Sequence, residues 1–324
     1  MKIIRTVNGD ISPDTLGVTQ VHEHLSCDTT VAKSAAPFPA FVSPMIIQDV
    51  DTITRELQDF HAASGRAMVE VTVIGWGRDV LTLQEMSLRS GVHIIATSGF
   101  YTREYIPEFA RSASVEYLTE FLVAEINEGI EGTGIKAGLL KAGCSYPVIE
   151  GLEKKCATAV AKAAVQTGAA VTTHSPAAGR FEVPGGNLGY QYLEIFESAG
   201  LDPARVIIGH ADQNADIRQL VDLAKRGASI EFDVIGKNHR LLDETRIELL
   251  GKLADAGFEK NLLLSTDRCR IDESKVFGGP GYDHLLLSFI PRLKASGFED
   301  TLIHQMLVEN PAEILAIQVT GDRH

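Results

Sequence analysis

The segment Thr19-Gln20-Val21-His22-Glu23-His24-Leu25 sets two imidazoles one residue apart at the end of an apolar run. In an extended strand successive side chains alternate faces, so His22 and His24 point the same way. Two imidazoles a few ångströms apart can hold one metal ion. Paired histidines also occur on solvated loops, so the pair needs support from elsewhere in the chain. Later apolar runs supply it. They carry Lys141 in Ala137-Gly138-Leu139-Leu140-Lys141, His174 in Val171-Thr172-Thr173-His174, His210 in Ile207-Ile208-Gly209-His210, and Asp267 in Leu264-Ser265-Thr266-Asp267. A neutral imidazole at the rim of an apolar strand needs a polar partner. Gly209 allows close approach of a ligand or of neighbouring backbone. Four histidines and an aspartate, drawn from separate strand ends, point to a metal site.

Lys141 asks for a different account. An ammonium inside a strand beside other cations repels a metal and is costly to bury. A lysine whose neutral amine has reacted with CO₂ is instead a carbamate, anionic and with two oxygens that can bridge two metals. A salt-bridged barrel lysine is the competing reading. Lys136 lies before the strand and is expected on the surface. His61, His93, His239, His284, His304 and His324 fall on helices, loops, a strand start or the terminus, and are not expected to bind metal.

These residues need a scaffold that brings strand ends together. Strand-like runs cover 16–25, 68–75, 92–99, 137–144, 170–175, 205–211, 228–234 and 261–267. Amphipathic stretches between them predict helices over 47–64, 78–90, 114–128, 149–166, 213–226 and 242–257. Gly91, Gly168, Gly227 and Gly257 fall where helices turn back toward strands, the usual place for a left-handed cap. Near-continuous apolar strands followed by helices read as parallel strands covered on their outer face. Eight such units predict an α/β fold of the (β/α)₈ barrel type, with the site at the C-terminal ends of the strands. A doubly wound open sheet is the alternative, and it lacks a GxGxxG fingerprint after any early strand. The expected organisation is one domain over 1–324, with the barrel at about 16–296 followed by C-terminal helices. The first residues and 26–46 read as additions. Residues from about 284 to 317 read as helices, the last starting at Asn310-Pro311.

Composition narrows the class. The chain has 324 residues, 44% hydrophobic and 23% charged, enough for a large core. Its formal net charge of −13 disfavours non-specific binding to nucleic acid. No apolar run approaches the ~20 residues of a membrane span, and the N-terminal residues do not read as a secretory signal. Cys27, Cys144, Cys156 and Cys269 are scattered with no CxxC pair, which fits a reducing cytoplasm. The expected partner is a small-molecule substrate, with no nucleic acid and no membrane. A homodimer is left open.

The motifs together resemble the phosphotriesterase family of the amidohydrolase superfamily, over nearly the whole chain. The resemblance rests on Gly17-Val18-Thr19 with His22-Glu23-His24-Leu25, the Lys141 run, Thr173-His174-Ser175, Ile208-Gly209-His210 and Leu264-Ser265-Thr266-Asp267. It extends to Gly278-Gly279-Pro280-Gly281-Tyr282-Asp283 and Val308-Glu309-Asn310-Pro311. It implies a (β/α)₈ barrel holding two divalent metals, zinc first, with manganese, cobalt or iron compatible with the same ligands. His22, His24 and Asp267 are implied at the more buried metal, and His174 and His210 at the more exposed one. Carboxylated Lys141 and a hydroxide are implied as bridges, and Asp267 as the acceptor of the hydroxide's proton. Tyr101, in Ser98-Gly99-Phe100-Tyr101, matches a tyrosine that the lactonase branch uses beside the metals; a rim aromatic is the plainer reading.

The segment Phe232-Asp233-Val234-Ile235-Gly236-Lys237-Asn238 lacks the arginine that lactonases carry after the aspartate ending the seventh strand. It resembles instead the phosphotriesterase-homology branch. Arg268 and Arg270 flank Cys269 just past Asp267. They either meet an anionic substrate or are solvated. Trp76 lines the pocket or caps it. The favoured expectation is a binuclear hydrolase of a lactone or small carboxylic ester. A phosphotriesterase or an amide hydrolase is the first alternative, and a catalytically silent binding protein on the same fold is the second. Substrate choice is expected in loops 26–46, 143–148, 176–189 and 235–241 and in 268–284.

Overall fold

The computed structural model describes residues 1–31, 45–145, 147–175 and 187–319. Eight parallel strands form one sheet whose order follows the chain. They are β1 (Thr19–Glu23), β2 (Ala67–Glu70), β3 (His93–Phe100), β4 (Leu139–Gly143), β5 (Val171–His174), β6 (Val206–Ile208), β7 (Ser229–Phe232) and β8 (Leu262–Leu264). The helices α1 (Val50–Ala62), α2 (Val80–Ser90), α3 (Val115–Asn127), α4 (Gly151–Thr167), α5 (Leu188–Ser198), α6 (Ile217–Lys225) and α7 (Asp243–Asp255) follow β1 to β7 in turn. After β8 a π-turn, Leu285–Phe289, runs into a helix at Ile290–Ala295. The last helix is Asn310–Leu315, starting where the Asn-Pro pair predicts.

The interior of the sheet is filled by Val21, Ala67, Val69, Ile95, Leu139, Ile207 and Leu263, which form one buried cluster. These residues come from six of the eight strands, so the barrel is packed rather than hollow. Its N-terminal end is closed by Ile4, Leu16 and Ile314. An antiparallel hairpin, Lys2–Thr6 with Gly9–Ile11, supplies Ile4 and pairs with Ile317–Gln318. A larger cluster between strands and helices completes the core.

The ladder runs unbroken from β1 to β8, but β8 does not pair with β1 as a strand. The seam is bridged at its C-terminal end. Asp267 N donates to His22 O at 3.2 Å, and His24 N donates to Arg268 O at 3.1 Å. His22 N donates to Ser265 Oγ at 3.0 Å.

The eight expected strands are all present, and the six expected helices match α1–α4, α6 and α7. Three features differ. Helix α5 is not among the stretches named as helical from the sequence, and its first two residues fall in the expected loop 176–189; it has no acidic first turn, and Asn187 caps it by accepting from Gly189 N. Strands 6 and 8 are shorter than the apolar runs that announce them. Each run ends in a residue with left-handed backbone, His210 at φ 56° and Asp267 at φ 49°, which cannot extend a strand. The glycine caps are as expected: Gly91 and Gly168 close α2 and α4 with φ of 75° and 73°. Among the described residues no helix is long and apolar enough to cross a membrane. Loop 26–46 begins with Cys27–Asp28 pairing with Ile46–Ile47. Most of that loop, and most of 176–189, lies outside the described residues.

Candidate active site

The C-terminal ends of the strands carry the predicted constellation. From β1 come His22 and His24, both buried. Nδ1 of His22 lies 3.1 Å from Glu231 Oε2 and 3.2 Å from Asp233 Oδ2. Nδ1 of His24 lies 2.6 Å from Thr72 Oγ1. With Nδ1 so engaged, Nε2 of each ring is left to face the barrel axis. Nε2 of His24 lies 3.7 Å from Asp267 Oδ1. Nε2 of His22 is buried with no hydrogen-bond partner among the described residues. His22, His24 and Asp267 offer ligand atoms within 4.8 Å of one another.

Next to this group stands a second pair of histidines. Nε2 of His210 is 2.8 Å from Nδ1 of His174. His210 Nδ1 meets Asp233 Oδ1 at 2.7 Å, and its backbone N–H donates to Asp233 Oδ2 at 2.8 Å. That double hold keeps the left-handed turn at His210 in place. The close backbone approach expected of Gly209 is real: a Cβ there would stand 2.0 Å from Thr173 O. Rings of His22 and His210 are 5.0 Å apart, so the two groups adjoin.

Lys141 projects from the middle of β4, fully buried, and donates to Val71 O at 3.1 Å. Its Nζ stands 5.6 Å from the Trp76 ring and 5.4 Å from the Tyr101 ring. Gly99 on β3 makes room for this strand, since a Cβ there would stand 2.0 Å from Lys141 O. Tyr101 Oη is 3.0 Å from His174 Nε2. Trp76 stacks on Tyr101 at 4.4 Å and meets His24 edge-on at 4.4 Å, so it lines the site rather than capping it. Lys136, the rival lysine, is half-buried outside the strand.

The electrostatics suit metal binding. Burial, with Lys141 and the neighbouring imidazoles, holds His22, His24 and His174 well below the usual imidazole range, which favours the neutral form a metal ligand needs. Burial also works against charge on His210, but Asp233 outweighs it and raises that ring. Burial brings Lys141 down to about 8, against the pull of Asp267, Glu70, Glu231 and Asp233. A neutral amine is therefore within reach, and only a neutral amine can add CO₂. Burial opposes ionisation of Asp267, yet Lys237, His210, Arg240 and Lys141 together outweigh it and hold the carboxyl below its usual range. The Tyr101 phenol is pushed well up by burial and stays protonated. The donor set of imidazole, carboxylate and a carboxylatable amine fits divalent metal.

Several residues here were not predicted as part of the site. Glu231 and Asp233 sit beneath the histidines. Their i, i+2 spacing in Ser229-Ile230-Glu231-Phe232-Asp233 marks two carboxylates on the inner face of β7, a signal present in the sequence. Lys237 fills the region where the lactonase arginine is missing. It reaches the backbone carbonyl of Asp267, lies 3.2 Å from Asp267 Oδ2 and 3.4 Å from Glu273 Oε1. No spacing announced it, because it stands on a loop. The paired expectation for Arg268 and Arg270 divides. Arg268 is buried, with Nε and Nη2 lacking partners among the described residues, whereas Arg270 binds Asp272 at the surface. None of His61, His93, His239, His284 or His304 joins a metal-competent group among the described residues; His324 lies outside them.

The family model of the phosphotriesterase family matches residues 2–315. The chain belongs to the phosphotriesterase family. It is 33% identical over 304 residues to the phosphotriesterase homology protein of Escherichia coli, covering 94% of this chain and 99% of that one. A crystal structure of that relative with phosphate in its active site superposes with a TM-score of 0.85, covering 93% of this chain and 99% of that one. The N-acetyltaurine hydrolase of Mus musculus is 32% identical over 352 residues, 97% of this chain and 98% of that protein. A lactonase from Listeria monocytogenes is similar with a TM-score of 0.89 at 30% identity, covering 98% of this chain and all of the other, 100%. Its relatives in the phosphotriesterase family are hydrolases, and this member is a metal-dependent hydrolase. The reading as a silent binding protein is set aside.

Proposed function

We propose that the protein is a binuclear metal hydrolase whose favoured substrate is a lactone or small carboxylic ester. The observation that carries this reading is the convergence of His22, His24, Lys141, His174, His210 and Asp267 around the unpartnered Nε2 of His22. His22, His24 and Asp267 would hold one ion, His174 and His210 the other, and Lys141, carboxylated by CO₂, would bridge them. Two divalent ions, when bound, polarise a carbonyl or phosphoryl oxygen and acidify water between them.

The chain's own groups do the rest. Asp267 is kept ionised by Lys237, His210, Arg240 and Lys141 together, so its carboxylate is ready to accept a proton during attack and to pass it to the leaving oxygen. Tyr101 remains a phenol and so offers a hydrogen bond to a substrate oxygen at the His174 side. The Trp76–Tyr101 stack forms an apolar wall that sheds water from that side. Basic side chains collect near Asp267. Lys237 and Arg240 both act on Asp267, and Arg268 keeps two buried guanidinium donors unpartnered among the described residues. That wall favours a substrate with an anionic substituent.

The same wall supports a second reading, hydrolysis of an N-acyl amino acid or amino sulfonate, in line with the N-acetyltaurine hydrolase relatives. Turnover of lactones, aryl esters, phosphotriesters and N-acyl amino acids by metal-replete protein decides between them. Lactone or ester turnover with the highest kcat/KM supports the first reading. An N-acyl amino acid in that place supports the second, and phosphotriesters in that place overturn both.

A further inference from the structure

Glu23 stands between the two histidines of β1 and faces away from them, into the seam with β8. It is fully buried. Its Oε1 accepts from Ser265 Oγ at 2.8 Å, Thr266 N at 2.7 Å and Thr266 Oγ1 at 2.8 Å. Its Oε2 accepts from Arg268 N at 2.7 Å. The two backbone amides it holds are those immediately before and after Asp267. Asp267 itself has φ of 49°, a left-handed backbone that costs a non-glycine residue energy unless its surroundings impose it. Asp267 N is held in turn by His22 O at 3.2 Å. Three consecutive amides are thus pinned to β1, two of them by one carboxylate.

We infer that Glu23 is a positioning residue. Its carboxylate clamps the amides of Thr266 and Arg268 and so imposes the turn that presents the Asp267 side chain to His24 and to the metal site. Simple stabilisation of the seam is the rival, and Ser265 isolates it. Ser265 Oγ also bridges the seam, accepting from His22 N at 3.0 Å and sharing its one proton between His22 O at 2.9 Å and Glu23 Oε1 at 2.8 Å, but it touches neither flanking amide of Asp267. Glu23→Gln keeps the size of the side chain and one accepting oxygen. Its amide nitrogen brings N–H donors to face an N–H donor, so at least one clamp is lost.

The inference rests on the assignment of Asp267 to the metal site, so its test needs readouts on both. Amide hydrogen exchange is measured on metal-free protein for wild type, Glu23→Gln and Ser265→Ala. Metal retention against a chelator and kcat are measured for Glu23→Gln in the wild-type and Asp267→Asn backgrounds. The clamp predicts that Glu23→Gln speeds exchange at Thr266 and Arg268 about tenfold or more, while Ser265→Ala leaves those two amides within about threefold. It also predicts that Glu23→Gln lowers kcat and metal retention at least tenfold in the wild-type background, with KM little changed, and by less than about twofold once Asp267 is Asn. Equal losses in both backgrounds, or unchanged exchange at the two amides, overturn the inference. If Asp267→Asn alone leaves metal retention and kcat as in wild type, the metal assignment of Asp267 fails instead, and the exchange data still decide whether the clamp exists. Should Glu23→Gln not fold, Glu23→Asp, shorter by one methylene, takes its place with the same expected outcomes.

Discussion

At the scale of single residues, the chemistry depends on where two protons go. In the proposed centre Lys141 would lose one to add CO₂, and burial, outweighing the neighbouring carboxylates, brings its amine to about 8. The neutral fraction of such an amine rises about tenfold per pH unit below that value. Metal-free protein mixed with divalent metal at a fixed concentration of dissolved CO₂ should therefore recover activity several-fold faster at pH 8.5 than at pH 7. A rate independent of pH would mean that the amine is not the limiting nucleophile. Lys141→Ala should lose most activity and retain metal poorly, with partial recovery on adding a short carboxylic acid that takes the place of the carbamate. Full activity in that variant would make the lysine structural. In the proposed reaction Asp267 would gain a proton. Asp267→Asn preserves shape but cannot accept it, and kcat should fall about 10²–10⁴-fold with KM little altered, compared at equal metal content. Near wild-type kcat would leave Asp267 a ligand alone.

At the scale of elements, the loops after β6 and β7 are held by one buried cation. Arg246, near the start of α7, is fully buried and donates to Asp212 Oδ2 at 2.6 Å, to Asp243 Oδ1 at 3.0 Å and to the carbonyl of Leu241. Asp212 lies two residues beyond His210 and also receives Val234 N, while Asp243 receives Gly236 N just before Lys237. Arg246→Met leaves the buried Asp212 without its cation and Asp243 with Arg292 alone. It should cost about 3–5 kcal/mol in urea unfolding; a loss below about 1 kcal/mol would show that the carboxylates find other partners. This network also marks the limit of what was legible in the sequence. Period-two strands, their number, and the residues at their ends were readable, because alternation and polarity at a strand end are local signals. So were Gly91 and Gly168, whose cap position is local too. Helix α5 was missed because Asn187 caps it without an acidic first turn. Lys237 and Arg246 were missed because their partners are 30 and 34 residues away. Nothing in a single sequence says which distant carboxylate a loop lysine will meet. Glu231 and Asp233 are legible by alternation, but as carboxylates beneath the histidines they support the site rather than mark a strand end in the way His174 and His210 do.

At the scale of the molecule, the barrel gathers four histidines, two strand carboxylates and a lysine into one water-poor end. Five side chains and a carbamate exceed what one tetrahedral ion takes. Elemental analysis of protein expressed with metal and bicarbonate should give two divalent ions per chain, and a ratio of one or less would remove the binuclear reading. Binding to the folded state alone also raises stability, by about 2.7 kcal/mol per site at a hundredfold excess over Kd. Stripping metal should accordingly lower Tm, and returning it should restore Tm in a concentration-dependent way.

The left-handed backbones at His210 and Asp267 carry an evolutionary implication. Glycine at either position would relax a backbone that costs about 1 kcal/mol or more as it stands. Backbone strain alone pushes both sites toward glycine; the contacts of His210 with Asp233 and of Asp267 with Lys237 oppose it, as does selection for turnover. A descendant of this chain released from its chemistry should drift at these two positions together with their partners Asp233 and Lys237, keeping its barrel as it falls silent. The pair His210 and Asp267 can thus serve as a gauge in newly met sequences of this fold: glycine at both would mark a lineage that has kept the architecture and given up the reaction.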